Sequence, residues 1–235
     1  SCETNWGDNL TIYPKFSKVL IKIITDIASD NPKLRILDLN ADTGRLAFEL
    51  AQYYNDITAI DFTARMIRMP IQLQEQGFMR YTIKDEGELV FYRDVVLSDF
   101  GLEKGKDNIL FMQADAMNLK PNFTGYDVII VPNLLEELHN PKAFLAQIHE
   151  RLNENGLLFI ASTYEWNEAR TKRENWPGGF KQDGEPVTSL DGIKLILNKN
   201  FDLQGDPIDL NSYLKKSSRT TEVRLSQVTV WRKRR

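Results

Sequence analysis

Three carboxylates spaced along the chain are the residues best suited to hold a cofactor. Asp38 lies in the apolar run Leu34–Leu39 and is followed by the polar turn Asn40-Ala-Asp42-Thr-Gly44 and a helix-forming stretch. Asp61 closes the run Ile57–Asp61, 23 residues after Asp38. Asp115 follows a third run, in Gln113-Ala-Asp115-Ala116. A strand, a tight turn and a helix, with an acid at the end of the next strand, is how an open parallel sheet holds a nucleotide-type cofactor. The turn takes its charged tail, and the acid accepts its ribose hydroxyl protons. Asp61 could instead cap the following helix, although Thr63 is better placed for that task. The bland reading of Asp115 is a turn residue.

A second group is polar and aromatic. Asn133, Glu136, Glu137 and His139 follow the apolar run Asp127–Pro132. Glu136, Glu137 and His139 read equally well as the solvated face of a helix. Tyr164, Trp166 and Trp176 lie in the polar stretch Ser162–Gly179, which ends Pro-Gly-Gly. Large aromatics in such a loop can wall a flat, small substrate.

Positioning these residues requires alternating elements. Tyr13–Ser29 has apolar residues at helical spacing and predicts an amphipathic helix. Strands are expected at 34–39, 57–61, 109–113, 127–132 and 157–162, each a short apolar run of the kind a sheet covered on both faces requires. Helices are expected at 44–54, 64–76 and 141–153, with Asn155-Gly156 as a stop and turn. Thr188–Asn198 reads as a helix, and Phe201–Ile208 and Val223–Trp231 as strands joined without a helix, which predicts an antiparallel pair at one sheet edge. The stretch Phe78–Asp107 is an insertion. Within it, 81–92 reads as two short strands around Glu86-Gly-Glu88, either a substrate lid or a surface hairpin.

The fold class expected is α/β: a doubly wound, mostly parallel, seven-stranded sheet with an antiparallel edge hairpin. Residues 1–235 form a single domain, with 1–32 as a helical cover, 78–107 as the inserted hairpin or lid, and 162–186 as a substrate loop.

Composition narrows the class. The chain has 235 residues, is 42% hydrophobic and 27% charged, and carries a formal net charge of -3, as an ordinary globular protein does. Nothing in this balance points to nucleic acid or a membrane surface, and the run Arg232–Arg235 reads as a solvated tail. Single Cys2 excludes an internal disulfide and fits a reducing, cytoplasmic compartment. One cysteine with His139 and His149 makes no closed zinc site, so no metal is expected. No apolar run approaches a membrane span, and no leader is evident. The first residue is not Met, as in a processed chain or one excised from a longer protein.

The frame Asp38, Asn40, Asp42, Gly44 resembles the cofactor turn of class I S-adenosylmethionine methyltransferases, where an acid is followed by small residues at every second position. Asn40 stands where glycine normally lets the cofactor approach the backbone, and asparagine still tolerates a left-handed turn. Asp42 adds a carboxylate that would repel the cofactor's own or attract its amino and sulfonium groups. Gly44 keeps the last small position. The resemblance implies that Asp61 binds the ribose, that Asp115 faces the adenine amino group beside small Ala116, and that Phe62 packs on the adenine ring. Asn133 would lie where the transferred methyl points.

A narrower resemblance rests on Glu86-Gly-Glu-Leu89, Asn133-Leu-Leu-Glu-Glu-Leu138, Tyr164-x-Trp166, Arg173-Glu-Asn-Trp176-x-Gly-Gly179 and Ser226-Gln-Val-Thr-Val-Trp-Arg232. These segments resemble the methyltransferase domain of ovothiol biosynthesis over about residues 33–232. That family transfers a methyl from S-adenosylmethionine to a ring nitrogen of 5-thiohistidine, leaving S-adenosylhomocysteine. Its domain is often fused to a sulfoxide synthase, which implies such a domain or protein as partner. The chain departs from the family at Asn40 and Asp42, and its N-terminal segment Ser1–Tyr13 looks abbreviated.

The resemblance implies an in-line displacement governed mainly by positioning, with the neutral imidazole supplying the lone pair. Asn133 would orient the ring. Tyr164, Trp166 and Trp176 would shape the pocket. Glu86 or Glu88 would pair with the substrate ammonium, and Arg173 or Arg170 with its carboxylate. Two alternatives stand beside this reading: a degenerate methyltransferase fold acting as a binding or scaffold module, favoured by Asn40 and Asp42, and a methyltransferase for another small amine or thiol. A nicotinamide-dependent oxidoreductase fits less well, because the glycine fingerprint is missing.

Overall fold

The computed structural model describes residues 16–29 and 31–235. Helix α1 spans Phe16–Ala28, within the predicted 13–29; the remainder of the 1–32 cover before Phe16, and the Ser1–Tyr13 segment, lie outside the described residues. Strand β1 (Arg35–Asp38) leads through the turn to α2 (Arg45–Leu50), shorter than expected, and on to β2 (Asp56–Asp61) and α3 (Ala64–Gln76). Strands β3 (Phe78–Lys84) and β4 (Val90–Val96) form the inserted hairpin. The parallel sheet resumes with β5 (Ile109–Gln113), β6 (Tyr126–Pro132), α4 (Pro141–Gln147) and β7 (Leu152–Ser162). A small β8–β9 hairpin (Phe180–Gln182 and Glu185–Val187), α5 (Ser189–Leu197), β10 (Phe201–Leu203), β11 (Ile208–Lys215) and β12 (Thr221–Lys233) complete the chain.

The main sheet runs β5-β2-β1-β6-β7-β12-β10. Its first five strands are parallel and β12 is antiparallel to β7. Alternate residues of each buried strand face opposite layers. Ile36 packs under α1–α3, whereas Leu37 and Leu39 pack under α4 and α5. With both faces covered, the strands have no polar side to show, which is why they read as apolar runs.

The C-terminal region differs from expectation in three ways. The predicted strand 201–208 is two strands, and both β10 and β11 pair with β12, giving eight strands in the sheet rather than seven. Strand β12 therefore lies inside the edge. The run at 232–235 is no loose tail: Arg232 and Lys233 continue β12, and Arg234 pairs with Asp202 at 2.7 Å. The third departure is β7, which begins at Leu152, where a helix was expected. Asn155-Gly156 lies within it, Asn155 adopting φ 61°, as an irregularity between the Tyr126–Leu152 and Val128–Leu157 pairs.

The insertion is fastened rather than free. Ser218, in the turn joining β11 to β12, donates its hydroxyl to Asp85 Oδ1 (2.5 Å) and its N–H to Lys84 O (2.8 Å). Arg219 faces Glu86 at 3.5 Å. Because Gln227 pairs with Ser162, the last residue of β7, residues 221–226 project past the carboxyl edge of the sheet, by about 20 Å at some 3.4 Å per residue. The tips of the two hairpins meet there.

Candidate active site

The carboxyl ends of β1, β2 and β5 bring Asp38, Asp61 and Asp115 to one edge of the sheet, since the three strands are parallel and β2 lies between the other two. Asp61 is 7% exposed. Its Oδ1 accepts the Thr63 N–H (2.8 Å) and its Oδ2 the Asp42 N–H (3.2 Å). Thr63 holds the cap position of α3 without a side-chain cap bond, and Asp61 accepts the N–H of Thr63 itself rather than one from the first turn, so Asp61 is not the helix cap. Each oxygen has a second lone pair, so both remain able to accept from a vicinal diol. Burial raises the pKa of Asp61, and the two backbone hydrogen bonds pull it back.

The cofactor turn is rearranged relative to expectation. Asp42 (φ 46°) and Gly44 (φ 83°) are the left-handed residues, not Asn40. Asn40 is held otherwise: its side-chain amide donates to Pro132 O (2.9 Å) and its N–H to Asp38 Oδ1 (3.2 Å), tying the turn to the end of β6. Asp42 tolerates the left-handed region as short polar side chains do. Gly44 packs α2 against α3 and β5. A Cβ there would lie 2.5 Å from Pro70 Cβ and 3.2 Å from Phe111 Cζ.

Asp38 is fully buried, and its Oδ2 has no hydrogen-bond partner. Burial first, then the negative charges of Asp61 and Asp42, push its pKa up to about 7 against the Asn40 N–H, which lowers it. The folded state therefore holds this proton more tightly than the unfolded chain, whose Asp titrates near 3.8. Stability should fall as pH rises from about 4 to about 7, then stay level. Asp38→Asn should flatten that decline and raise the thermal midpoint at pH 8, an effect of up to about 4 kcal/mol. Melting curves from pH 4 to 8 on both proteins check it; parallel curves would refute it.

Phe62 is 72% exposed beside Asp61 and offers an open ring face. Asp115 caps the short turn Ala116–Asn118 by accepting the Met117 N–H (2.9 Å), so its turn role is real and occupies one oxygen. A buried acid with an unfilled oxygen, an acid able to take a diol and an exposed ring at the adjacent strand end fit an adenosyl cofactor bearing an amino acid tail.

Beyond β6 and β7 the second group assembles. Asn133 (φ 49°) accepts from the Ser226 hydroxyl at 2.7 Å. Tyr164 (φ 58°) donates its hydroxyl to Gln227 Oε1 at 3.1 Å. Both residues therefore reach adjacent positions of β12. Burial, then the charges of Glu136 and Asp209, push the Tyr164 phenol well above its usual range. Trp166 and Trp176 are stacked, with centroids 6.5 Å apart, and both ring N–H groups are used internally, on Ser189 Oγ (2.8 Å) and Thr171 O (2.7 Å). Arg170 pairs with Glu137, and Arg173 lies over the Phe180 ring at 5.6 Å. Glu86 and Glu88 are exposed at the hairpin tip; hydrogen bonds and ion pairs among the described residues connect neither to Asn133 or Tyr164. Glu136 reads from sequence as one face of a helix, but is 7% exposed and central to the loop.

The family model for a methyltransferase domain matches residues 15–204. The chain belongs to that family. The strand order, five parallel strands with β12 set antiparallel beside β7, is the class I methyltransferase sheet. Solved structures share the fold at low identity. The N-methyltransferase NodS of Bradyrhizobium japonicum, in complex with S-adenosylhomocysteine, is 13% identical with TM-score 0.57, over 97% of this chain and 92% of its own. Magnesium protoporphyrin IX methyltransferase of Synechocystis, with bound S-adenosylhomocysteine, is 13% identical with TM-score 0.56, over 92% and 81%. Bacillus subtilis YcgJ is 14% identical with TM-score 0.58, over 93% and 98%. No curated protein matches the sequence of this methyltransferase. Among the described residues no helix is long and apolar enough to cross a membrane.

Proposed function

We propose that this methyltransferase places a methyl group on a ring nitrogen of a small imidazole, with 5-thiohistidine as the preferred acceptor and ovothiol A as product. The observation that carries the reading is the convergence of Asn133 and Tyr164 on Ser226 and Gln227, polar groups at the strand ends beyond the cofactor turn. The aromatic loop behind them resembles that of the ovothiol methyltransferase domain.

The residues divide the work between two sides. Asp61 would accept the ribose hydroxyls, Phe62 would cover the adenine, and Asp115 would accept from its amino group. The unfilled Asp38 oxygen would receive a donor brought by the turn. S-adenosylmethionine supplies an already activated methyl, so the protein need only align the acceptor and exclude water. Tyr164 is not a base, because its surroundings oppose a phenolate. Its hydroxyl donates to Gln227, which leaves the oxygen free to accept a ring N–H and turn the other nitrogen's lone pair toward the methyl. Asn133 would fix the plane of the ring.

Turnover with 5-thiohistidine and with histidine, product mass being read after transfer of a deuterated methyl, tests the reading. Methylated 5-thiohistidine formed at least tenfold faster than methylhistidine is expected. No product from either, in a protein that binds S-adenosylhomocysteine, would remove the imidazole acceptor and leave another small amine or thiol. A second reading, a scaffold module without turnover, draws on the Asn40 bond to Pro132 O and on three carboxylates around one turn. Failure to bind S-adenosylhomocysteine would favour it.

A further inference from the structure

Glu136 follows β6 in the short turn Leu135–Glu137 and is 7% exposed. Carboxylates are rarely buried so deeply unless their oxygens are engaged. Its Oε1 accepts from the Ser162 hydroxyl (2.6 Å), the Thr163 N–H (2.6 Å), the Thr163 hydroxyl (3.1 Å) and the Tyr164 N–H (2.7 Å). All four donors belong to three consecutive residues leaving β7. The other oxygen, Oε2, is buried without a partner. Tyr164 is held in the left-handed region, which costs a residue with a Cβ on the order of 1 kcal/mol. The Tyr164 N–H bond to Glu136 is one of the contacts that offset that cost. Asn133 stands three residues earlier, directly after β6. One carboxylate therefore ties together the exits of β6 and β7, and with them the two side chains that reach Ser226 and Gln227.

We infer that Glu136 is a positioning residue for the acceptor side of the site, acting through Tyr164 and the backbone of 162–164. The inference rests on the acceptor reading above. Glu136 is an acceptor of hydrogen bonds at Oε1, so Glu136→Gln keeps that atom while removing the charge, and Glu136→Ala removes both. Graded effects confined to the acceptor should follow, because Asp38, Asp61 and Phe62 share no hydrogen bond with Glu136.

The experiment compares wild type, Glu136→Gln and Glu136→Ala by three readouts. Calorimetric titration with S-adenosylhomocysteine should give affinity and stoichiometry within about threefold of wild type. The KM for 5-thiohistidine should rise about threefold in Glu136→Gln and tenfold or more in Glu136→Ala, the usual reach of a misplaced positioning group. A purely structural role would instead lower the binding stoichiometry and kcat together and leave that KM unchanged, which overturns the inference. The third readout needs no turnover: the ¹³C-tyrosine spectrum, with the Tyr164 signal assigned through Tyr164→Phe. It should shift or broaden in both Glu136 variants; an unmoved signal overturns the inference. Should wild type leave 5-thiohistidine untouched, the acceptor reading fails and this signal alone decides Glu136. Should Glu136→Ala not fold, the Glu136→Gln values decide.

Discussion

Asp61→Ala is expected to weaken S-adenosylhomocysteine binding by at least two orders of magnitude while the protein stays folded. The carboxylate ends β2 and would accept both ribose hydroxyls. Each hydrogen bond to a charged group contributes about 1.5–3 kcal/mol, and 1.4 kcal/mol is a tenfold change in affinity. The variant also loses the acceptors of Thr63 N–H and Asp42 N–H, so the turn around Asp42 loosens and adds to the loss. Asp61→Asn separates the two contributions, since it keeps one accepting oxygen. Calorimetry on the three proteins, with melting curves as the control, measures the effect. Unchanged affinity in Asp61→Ala would mean that the ribose is held elsewhere. Burial raises the Asp61 pKa, so wild-type affinity should weaken from the acid side as the carboxyl takes up its proton.

Gly44→Val is expected to give the largest loss of stability of any single change in the turn. Gly44 has φ 83°, a conformation costing residues with a Cβ about 1–2 kcal/mol. The added Cβ would meet Pro70 Cβ at 2.5 Å, with Phe48 Cε2 at 3.1 Å behind it. Pro70 lies inside α3 and cannot swing away, so overpacking adds a further 1–3 kcal/mol or more. At roughly 2–4 °C per kcal/mol for a chain of this size, the thermal midpoint should drop by about 10 °C. Gly101→Ala is the internal comparison: it shares the left-handed φ (66°) but its Cβ would have nothing within 4 Å, so it carries the conformational cost alone. Equal losses in the two variants would show that packing at Gly44 is unimportant.

Strand positions were legible because a sheet buried on both faces leaves one signature, a short apolar run, as in 57–61 and 127–132. The cofactor-side acids were legible for the same reason: Asp38 and Asp61 close β1 and β2, and Asp115 comes two residues after β5. What misled was local competition. Asn40 has the side chain for a left-handed turn, yet its amide finds Pro132 O instead, and Asp42 takes the turn. Such a partner lies 92 residues away and leaves no trace in the local pattern. The burial of Glu136 was hidden for a like reason. Its donors arrive from the end of β7, whereas its own neighbours spell an acidic helix face. The division of 201–215 into β10 and β11 depends on a long partner, β12, able to pair with both. The small acceptor side was read mainly through family resemblance, because its geometry is made by three strands that meet only in the folded chain.

The meeting of the two hairpin tips bears on how the insertion can change in descent. Asp85 and Ser218 are 133 residues apart, and each supplies half of one contact. An insertion exchanged on its own would leave the β11–β12 turn with a hydroxyl and an arginine whose counterparts had gone. Changes at one tip should therefore be matched at the other, by paired exchange of 85–86 and 218–219.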